Sequence, residues 1–121
     1  MEQDLISFFL QTQSQLKVLH WQTTSYARHM AYGRIYDSVQ DPIDSFIEIY
    51  QGKYKRIKVD TGMRLTNINE DGANQFVESV INILTNDLPS MLDPKVDTDL
   101  LNIKDEILAE FNTLKYLLTL K

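Results

Sequence analysis

Apolar residues recur at helical spacing through most of this chain, and that repeat limits which folds it can adopt. In the first stretch they stand at positions i, i+4, i+7, i+11 and i+14: Leu5, Phe9, Thr12, Leu16 and Leu19. This spacing places one stripe along one side of an α-helix, where it can be buried against a neighbour. The spacing predicts a first helix over residues 2–22.

A second stretch keeps the same period over residues 27–51, with Gly52 as its expected end. Pro42 lies inside it, where proline removes a backbone hydrogen bond at a cost of about 3 kcal/mol. The period continues on both sides of Pro42, so we predict a kink and no break. The apolar side consists of Tyr32, Ile35, Tyr36, Val39, Ile43, Phe46, Ile47 and Tyr50.

Two more helices follow a long connection over residues 53–68, which loses the period. Asn69 is the expected cap of the third helix, which should stop before Pro89, and the last helix is predicted over residues 98–120. The connections after the first and third helices are short, and the connection between the second and third helices is long. The chain is therefore predicted to form one all-α domain over residues 1–121, a four-helix bundle with the ferritin-like long crossover connection between helices 2 and 3.

Charge and composition narrow the function classes. The net charge of -5 argues against binding to nucleic acid or anionic membrane, and no apolar run approaches the roughly 20 residues of a membrane span. The acidic start lacks the basic region of a signal peptide, and there is no cysteine for disulfides or thiolate ligands. We expect a cytoplasmic protein that binds neither membrane nor nucleic acid.

One basic stretch runs against that expectation. Lys53, Lys55, Arg56 and Lys58 surround Tyr54, a composition that can contact phosphate. In an acidic protein we interpret this stretch as a solvated connection.

The candidate metal-binding residues lie in the first half of the chain. Both histidines, His20 and His29, precede the pair Asp44 and Glu48, and the four residues span 29 positions. Imidazole and carboxylate ligands suit Fe(II), Mn(II) or Zn(II). The pattern indicates a first-row transition metal, with iron as the leading candidate.

The acidic residues of the second helix form a stripe. At 100° per residue, Asp37, Asp41, Asp44 and Glu48 fall within about 60°, roughly opposite the apolar side. An outward stripe argues against a di-iron centre inside the bundle, and no Glu-x-x-His occurs. Two interpretations remain open, a solvated acidic face or a metal site shared between subunits. His20 has a plain alternative too, as a cap of the first helix.

The order of these residues resembles the Dps-type miniferritins of the ferritin-like superfamily. Leu16-Lys17-Val18-Leu19-His20-Trp21, then His29, Tyr36-Asp37 and Asp44-x-x-x-Glu48, match that family's signature over about residues 16–52. The loop between the histidines looks about three residues shorter than usual, and the chain lacks a lysine-rich N-terminal tail. Short, divergent relatives of this kind occur in large phages, whose products would work in the host cytoplasm.

The resemblance implies a function and a role for each residue. His20 and His29 would be iron ligands from one subunit, and Asp44 and Glu48 ligands from its partner, with Glu48 bridging two irons. Asp37 and Asp41 would form an entry path or outer shell, and Trp21 would pack at the interface or, alternatively, in the core. The protein would be a homo-oligomer, at least a dimer, acting as a ferroxidase that consumes Fe(II) with peroxide or oxygen and protects against oxidative damage.

Two other functions compete with this one. The chain could be a non-catalytic helical adaptor that binds a protein partner through exposed aromatic residues such as Tyr26, Tyr54 and Tyr116. Alternatively, Zn2+ or Mn2+ could occupy the same ligands as a structural staple of a dimer, since geometry and availability decide which metal binds.

Overall fold

A computed structural model describes residues 2–59 and 62–121. After a 3-10 turn at Glu2–Asp4, α1 spans Leu5–Gln22 and α2 spans Tyr26–Lys53. Helix α3 covers Glu70–Asn82, continues through a π-helical segment (Ile83–Asp87) and ends in one α-helical turn (Leu88–Ser90). Helix α4 spans Thr98–Leu117. Neither described range contains a β-strand, so the predicted all-α class is confirmed for them.

The apolar stripe predicted for the first helix forms its core side. All five of its residues are at most 4% exposed, and Phe9 meets Phe46 of α2 edge-on with ring centroids 5.5 Å apart. Helix α2 lies between α1 and α4, and α3 packs on α4. The buried residues form one contiguous cluster to which all four helices contribute.

Helix α2 continues through Pro42 without a break, as predicted, and the kink stays a prediction. Pro42 lacks the N–H that would bond to the Ser38 carbonyl. Ile43 and Phe46, in the turn that follows, are at most 4% exposed, so packing against the core holds the helix together across the proline.

The prediction that the third helix stops before Pro89 is wrong. Asn69 caps the helix as predicted, accepting a hydrogen bond from the Gly72 N–H at 2.8 Å, but helical backbone continues to Ser90. In the π-helical segment the Leu88 N–H bonds to the Ile83 carbonyl, five residues back. Pro89 follows at once, at the start of a new α-helical turn, where its missing N–H matters little.

The connection from α2 to α3 runs along the length of α1. Gln15 is 3% exposed and brackets Thr66, donating to its carbonyl at 2.8 Å and accepting from its N–H at 3.1 Å. Gln11 accepts from the Arg64 N–H. Residues 60 and 61 of the predicted connection lie outside the described residues.

Contacts at the helix ends give the direction of each helix. Tyr50, near the end of α2, donates to Glu2 at the start of the chain. Lys53, the last residue of α2, pairs with Asp99 at the start of α4. Arg28, at the start of α2, pairs with Glu70, the first residue of α3. Helices α2 and α3 therefore begin at the same end of the bundle, and α1 and α4 begin at the other.

Candidate functional site

The two histidines face each other across the turn between α1 and α2. His20 lies in the last turn of α1 and His29 in the first turn of α2, with three residues between the helices. Ser25 caps α2 by accepting from the Arg28 N–H at 3.2 Å, which fixes where the helix starts. The imidazole rings stack with centroids 3.8 Å apart and planes inclined by 16°.

Each imidazole hydrogen-bonds the backbone of the other histidine. His20 Nδ1 lies 2.7 Å from the His29 carbonyl oxygen, and His29 Nδ1 lies 2.8 Å from the His20 carbonyl oxygen. A carbonyl oxygen accepts, so each Nδ1 carries the proton. In the neutral form of this tautomer the lone pair is on Nε2, the atom with which such a histidine binds a metal.

Gly33, one turn after His29, makes room for this pair. A Cβ at Gly33 would lie 2.9 Å from Cε1 and 3.1 Å from Nδ1 of His20. Any side chain there would push the His20 ring away from α2. The sequence analysis missed Gly33, because the residue carries no chemistry of its own.

The stacking limits how the rings can hold metal. A lone pair lies in the plane of its ring, and ring planes inclined by only 16°, with centroids 3.8 Å apart, do not meet within bonding distance of either ring. In this arrangement the two Nε2 atoms would therefore bind separate ions.

The carboxylates lie elsewhere on the same helix. Asp44 and Glu48 stand one turn apart, 15 and 19 residues beyond His29, or about 22 and 28 Å along α2. In the described parts of the chain no group of three or more His, Cys, Asp or Glu side chains comes together at metal-binding distances. One chain alone therefore does not bring the predicted ligands together.

The outward direction of the acidic stripe is confirmed. Asp37, Asp41, Asp44 and Glu48 are all exposed, while Val39, Ile43 and Phe46 of the same helix are buried. Within residues 2–59 and 62–121, none of these four side chains forms an ion pair or accepts a hydrogen bond. Four carboxylates on one face repel one another until a cation or another surface compensates their charge.

Trp21 is 69% exposed, so the alternative that it is a core aromatic residue is wrong. The Lys17 ammonium lies 5.8 Å from the centroid of its ring and 4.5 Å from that of Tyr36. Trp21 thus forms part of an exposed surface next to the histidine pair.

A second acidic cluster, Asp97 and Asp99, lies at the opposite end of the bundle and is paired with Lys53. Asp97 is 1% exposed and accepts hydrogen bonds from the Asp93 N–H and the Tyr54 hydroxyl, which together lower the pKa of Asp97. The Lys53 ammonium lies 3.4 Å from Asp97 and 2.9 Å from Asp99, and donates to the Val96 carbonyl. Lysine takes the place that a metal would need there.

The basic stretch is partly neutralised within the fold. Besides the pairing of Lys53, Lys55 Nζ lies 3.6 Å from Glu2. Arg56 and Lys58 are exposed. Two of the four cations thus help to close the end of the bundle.

The helices and the stacked histidines define an all-helical protein with a paired imidazole site. The model of a family of unknown function, DUF5856, matches residues 20–118, from the first histidine to the end of the last helix. The chain belongs to this family. No curated protein and no solved structure matched it. Among the described residues, no helix is long and apolar enough to cross a membrane.

Proposed function

We propose that this protein is a Dps-like member of the ferritin-like superfamily that binds Fe(II) between two subunits and oxidises it with peroxide or oxygen. The observation that supports the proposal is the stacked pair of His20 and His29, in which each Nδ1 lies within hydrogen-bond distance of a carbonyl oxygen, so that both Nε2 atoms would be available for metal.

The direction of the helices supports the ferritin-like part of the proposal. Helices α2 and α3 begin at the same end, and the contacts of Gln11 and Gln15 with residues 64 and 66 support a connecting segment that returns along the bundle. One long crossover between otherwise antiparallel neighbours is the ferritin-like arrangement.

The separation of the ligands within one chain supports a shared site. His20 and His29 would supply one Nε2 each, and Asp44 and Glu48 of a second subunit would supply carboxylate oxygens, with Glu48 bridging the two ions. Asp41 and Asp37 lie one and two turns before Asp44 on the same exposed face, and would attract Fe(II) toward Asp44 and Glu48.

Two neighbouring ions suit the chemistry. Cleaving the O–O bond of peroxide to two waters takes two electrons and two protons, and two Fe(II) ions supply one electron each. When both electrons arrive together, no hydroxyl radical is released. The proposed protection against oxidative damage follows from this pairing.

The test is an anaerobic Fe(II) titration followed by peroxide, with ferric absorbance and molar mass recorded together. About two irons per histidine pair and rapid ferric absorbance are expected. The variant Asp44→Ala/Glu48→Ala should lose oxidation while keeping its helicity. The matched control Asp87→Ala/Glu106→Ala removes an exposed Asp and Glu outside α2 and should oxidise Fe(II) normally. Unchanged oxidation in the first variant would refute the assignment.

The same titration distinguishes the ferroxidase from a protein that binds Zn2+ or Mn2+ at the same ligands without oxidation. A structural staple would saturate with either ion, and with Fe(II), without consuming peroxide. The ferroxidase proposal requires peroxide consumption in proportion to the Fe(II) added.

A second candidate function, a non-catalytic adaptor, draws support from the exposed aromatic side chains. Trp21, Tyr26 and Tyr116 are 62–77% exposed, and such residues are common at protein interfaces. This candidate predicts no saturable Fe(II) binding and a partner whose affinity falls when Trp21 and Tyr26 are replaced by alanine.

A further inference from the structure

A cleft of about 730 Å³ lies beside the start of α3, between this helix, the end of α1 and the last residues of the connection. Helix α3 packs on α4 more closely than on α1, which leaves this space open. Sites for small molecules typically have volumes of about 300–1,000 Å³. None of the metal ligands of the proposed function lines the cleft, so it is a separate feature of the fold.

The lining of this cleft is polar but uncharged. Among the described residues around it, no side chain carries a formal charge at neutral pH. Five of them present an amide or a hydroxyl group: Gln22, Asn67, Asn69, Gln75 and Ser79. A charged ligand would lose water here without gaining a counter-ion, which is costly. The composition therefore indicates an uncharged ligand with many hydrogen-bonding groups.

Bonds within the protein already orient part of this lining. The Gln22 amide donates to Asn67 Oδ1 at 2.9 Å, and Asn69 Oδ1 accepts from the Gly72 N–H at 2.8 Å. The amide NH₂ groups of both asparagines are left as donors, and the side-chain carbonyl of Gln22 is left as an acceptor. The other two of the five side chains form no hydrogen bond with the described residues. Donors and acceptors are thus available together, and two of the donors are held in place before a ligand arrives.

Phe76 adds an aromatic surface to the amides. It is partly buried, packs against the hydrophobic core and also lines the cleft. Gly72, one turn earlier on α3, lets the connection lie close to the helix. A Cβ at Gly72 would lie 3.1 Å from Ile68 Cγ2 and 3.3 Å from Asn69 Oδ1. The cleft therefore combines one apolar ring with hydrogen-bonding groups on two sides of it.

We propose that this cleft binds a neutral sugar. Each hydroxyl of a sugar both donates and accepts hydrogen bonds, and each amide side chain offers both partners. The C–H groups on one face of a sugar ring would pack on Phe76, whose ring face carries negative charge density. A nucleobase is the competing ligand, because amides also pair with base edges. A base has two flat faces to cover, whereas Phe76 is the single aromatic residue among the described residues of the lining.

Charge should decide between otherwise identical sugars. A phosphate group on the sugar would meet no cation among the described residues of the cleft, and the chain as a whole has a net charge of -5. Both the local and the overall charge thus disfavour an anion. A sugar phosphate should bind more weakly than the free sugar.

The experiment titrates the nitrogen-15-labelled full chain with glucose, galactose and N-acetylglucosamine, each compared with its 6-phosphate. Two-dimensional NMR follows the side-chain NH₂ signals of Asn67 and Asn69. At least one neutral sugar should shift these signals saturably up to about 50 mM, and its 6-phosphate should bind at least about tenfold more weakly. The variant Asp44→Ala/Glu48→Ala should bind the same sugar normally, since these carboxylates lie outside the cleft.

Two variants test the residues that carry the proposal. Gln75→Ala removes an exposed amide and should weaken binding about fivefold. Phe76→Leu keeps an apolar side chain against the core but removes the ring, and a similar loss is expected. The matched control is Asn74→Ala, which removes an exposed amide from the same helix outside the cleft and should change nothing.

Three results would overturn the proposal. The first is the absence of a saturable shift with all three sugars. The second is binding that neither Gln75→Ala nor Phe76→Leu weakens, or that the 6-phosphates match in affinity. The third is saturation by uridine or adenosine without saturation by a sugar, which would make the cleft a nucleobase site.

Discussion

At the residue scale, the histidine pair shows how backbone carbonyls orient two side chains. Each imidazole Nδ1 hydrogen-bonds to the backbone carbonyl of the other histidine. The two rings are therefore oriented without an acidic partner. This leaves both Nε2 atoms as acceptors. A metal ion would then find its nitrogen ligands with rotamer and tautomer already set.

Gly33→Ala tests how far the pair depends on the missing side chain. The added methyl would lie 2.9 Å from the His20 ring, which cannot withdraw without losing its stack and its hydrogen bond. We expect a loss of about 1–3 kcal/mol in the free energy of unfolding, as for other overpacked sites. Nitrogen-15 NMR of the imidazoles should show that His20 no longer holds a single Nδ1–H tautomer.

The control for this variant is Gly52→Ala. Its added methyl meets nothing within 4 Å and lies near the end of α2, so the free energy of unfolding should stay the same or rise by up to about 1 kcal/mol. A Gly33→Ala protein as stable as this control, with an unchanged His20 spectrum, would show that the close approach has no consequence.

Part of this residue-scale arrangement was predictable from the sequence. His20 and His29 flank a short turn between two periodic stretches, so their closeness could be expected. The stacking and the reciprocal backbone hydrogen bonds could not, because they depend on the angle at which α2 leaves the turn. The exposure of Trp21 was also open, since one residue at the end of a helix can turn to either side.

At the element scale, glutamines of α1 hold the segment that joins α2 to α3. Gln15 is buried and satisfies both backbone groups of Thr66, as a strand partner would. Gln22 adds a side-chain bond to Asn67 at 2.9 Å. These amides therefore position the connection.

Gln15→Ala should loosen this connection and destabilise the protein. It leaves the carbonyl and N–H of Thr66 without their partner, for an expected loss of about 1–3 kcal/mol. Gln13→Ala is the matched control, since Gln13 lies on the same helix and makes no hydrogen bond with the described residues. Urea unfolding of both variants, followed by circular dichroism, gives the comparison. Equal stabilities would mean that water replaces Gln15 at no cost.

Asp97 makes the end of the bundle sensitive to acid. Its folded pKa lies below the ordinary value of 3.8, mainly because the Asp93 N–H and then the Tyr54 hydroxyl bond to the carboxylate. The stabilisation is therefore complete above that value and disappears as the pH falls through the lowered pKa. Asp97→Asn should be less stable than the original chain at neutral pH, with a smaller difference at a pH below 3.8.

Urea unfolding at the two pH values measures this difference. Asp87→Asn, which replaces an exposed Asp whose side chain bonds to none of the described residues, should show the same difference at both. If the Asp97→Asn difference also stayed constant with pH, the ionised carboxylate would not be what stabilises this end.

At the scale of the whole molecule, one core joins the four helices. Phe46 is fully buried at the contact between α1 and α2, so Phe46→Ala should lower the free energy of unfolding by about 3–5 kcal/mol. The exposed Tyr116→Ala should stay within about 0.5 kcal/mol of the original chain. Thermal unfolding at equal protein concentration compares them. Equal melting temperatures for the Phe46→Ala and Tyr116→Ala proteins would contradict a single shared core.

The number and order of the helices followed from the sequence because burial of an apolar stripe sets the period over whole turns. The stripe of α1 and the Asn69 cap are where the pattern put them. The end of α3 was not predictable in the same way. A proline normally ends a periodic stretch, and the local sequence gives no sign that the backbone will widen just before it.

The π-helical segment has a consequence for the phase of the third helix. It adds about one residue to one turn, which rotates everything after it relative to the α-helical frame set by Ala73, Val77, Val80 and Leu84. In the shifted frame Leu88 and Leu92 are buried and Asp87 is exposed. Had the backbone stayed α-helical through this segment, the frame of Ala73, Val77, Val80 and Leu84 would have continued to position 87 and turned Asp87 toward the core. The wide turn is thus a one-residue correction that keeps a charge out of the interior.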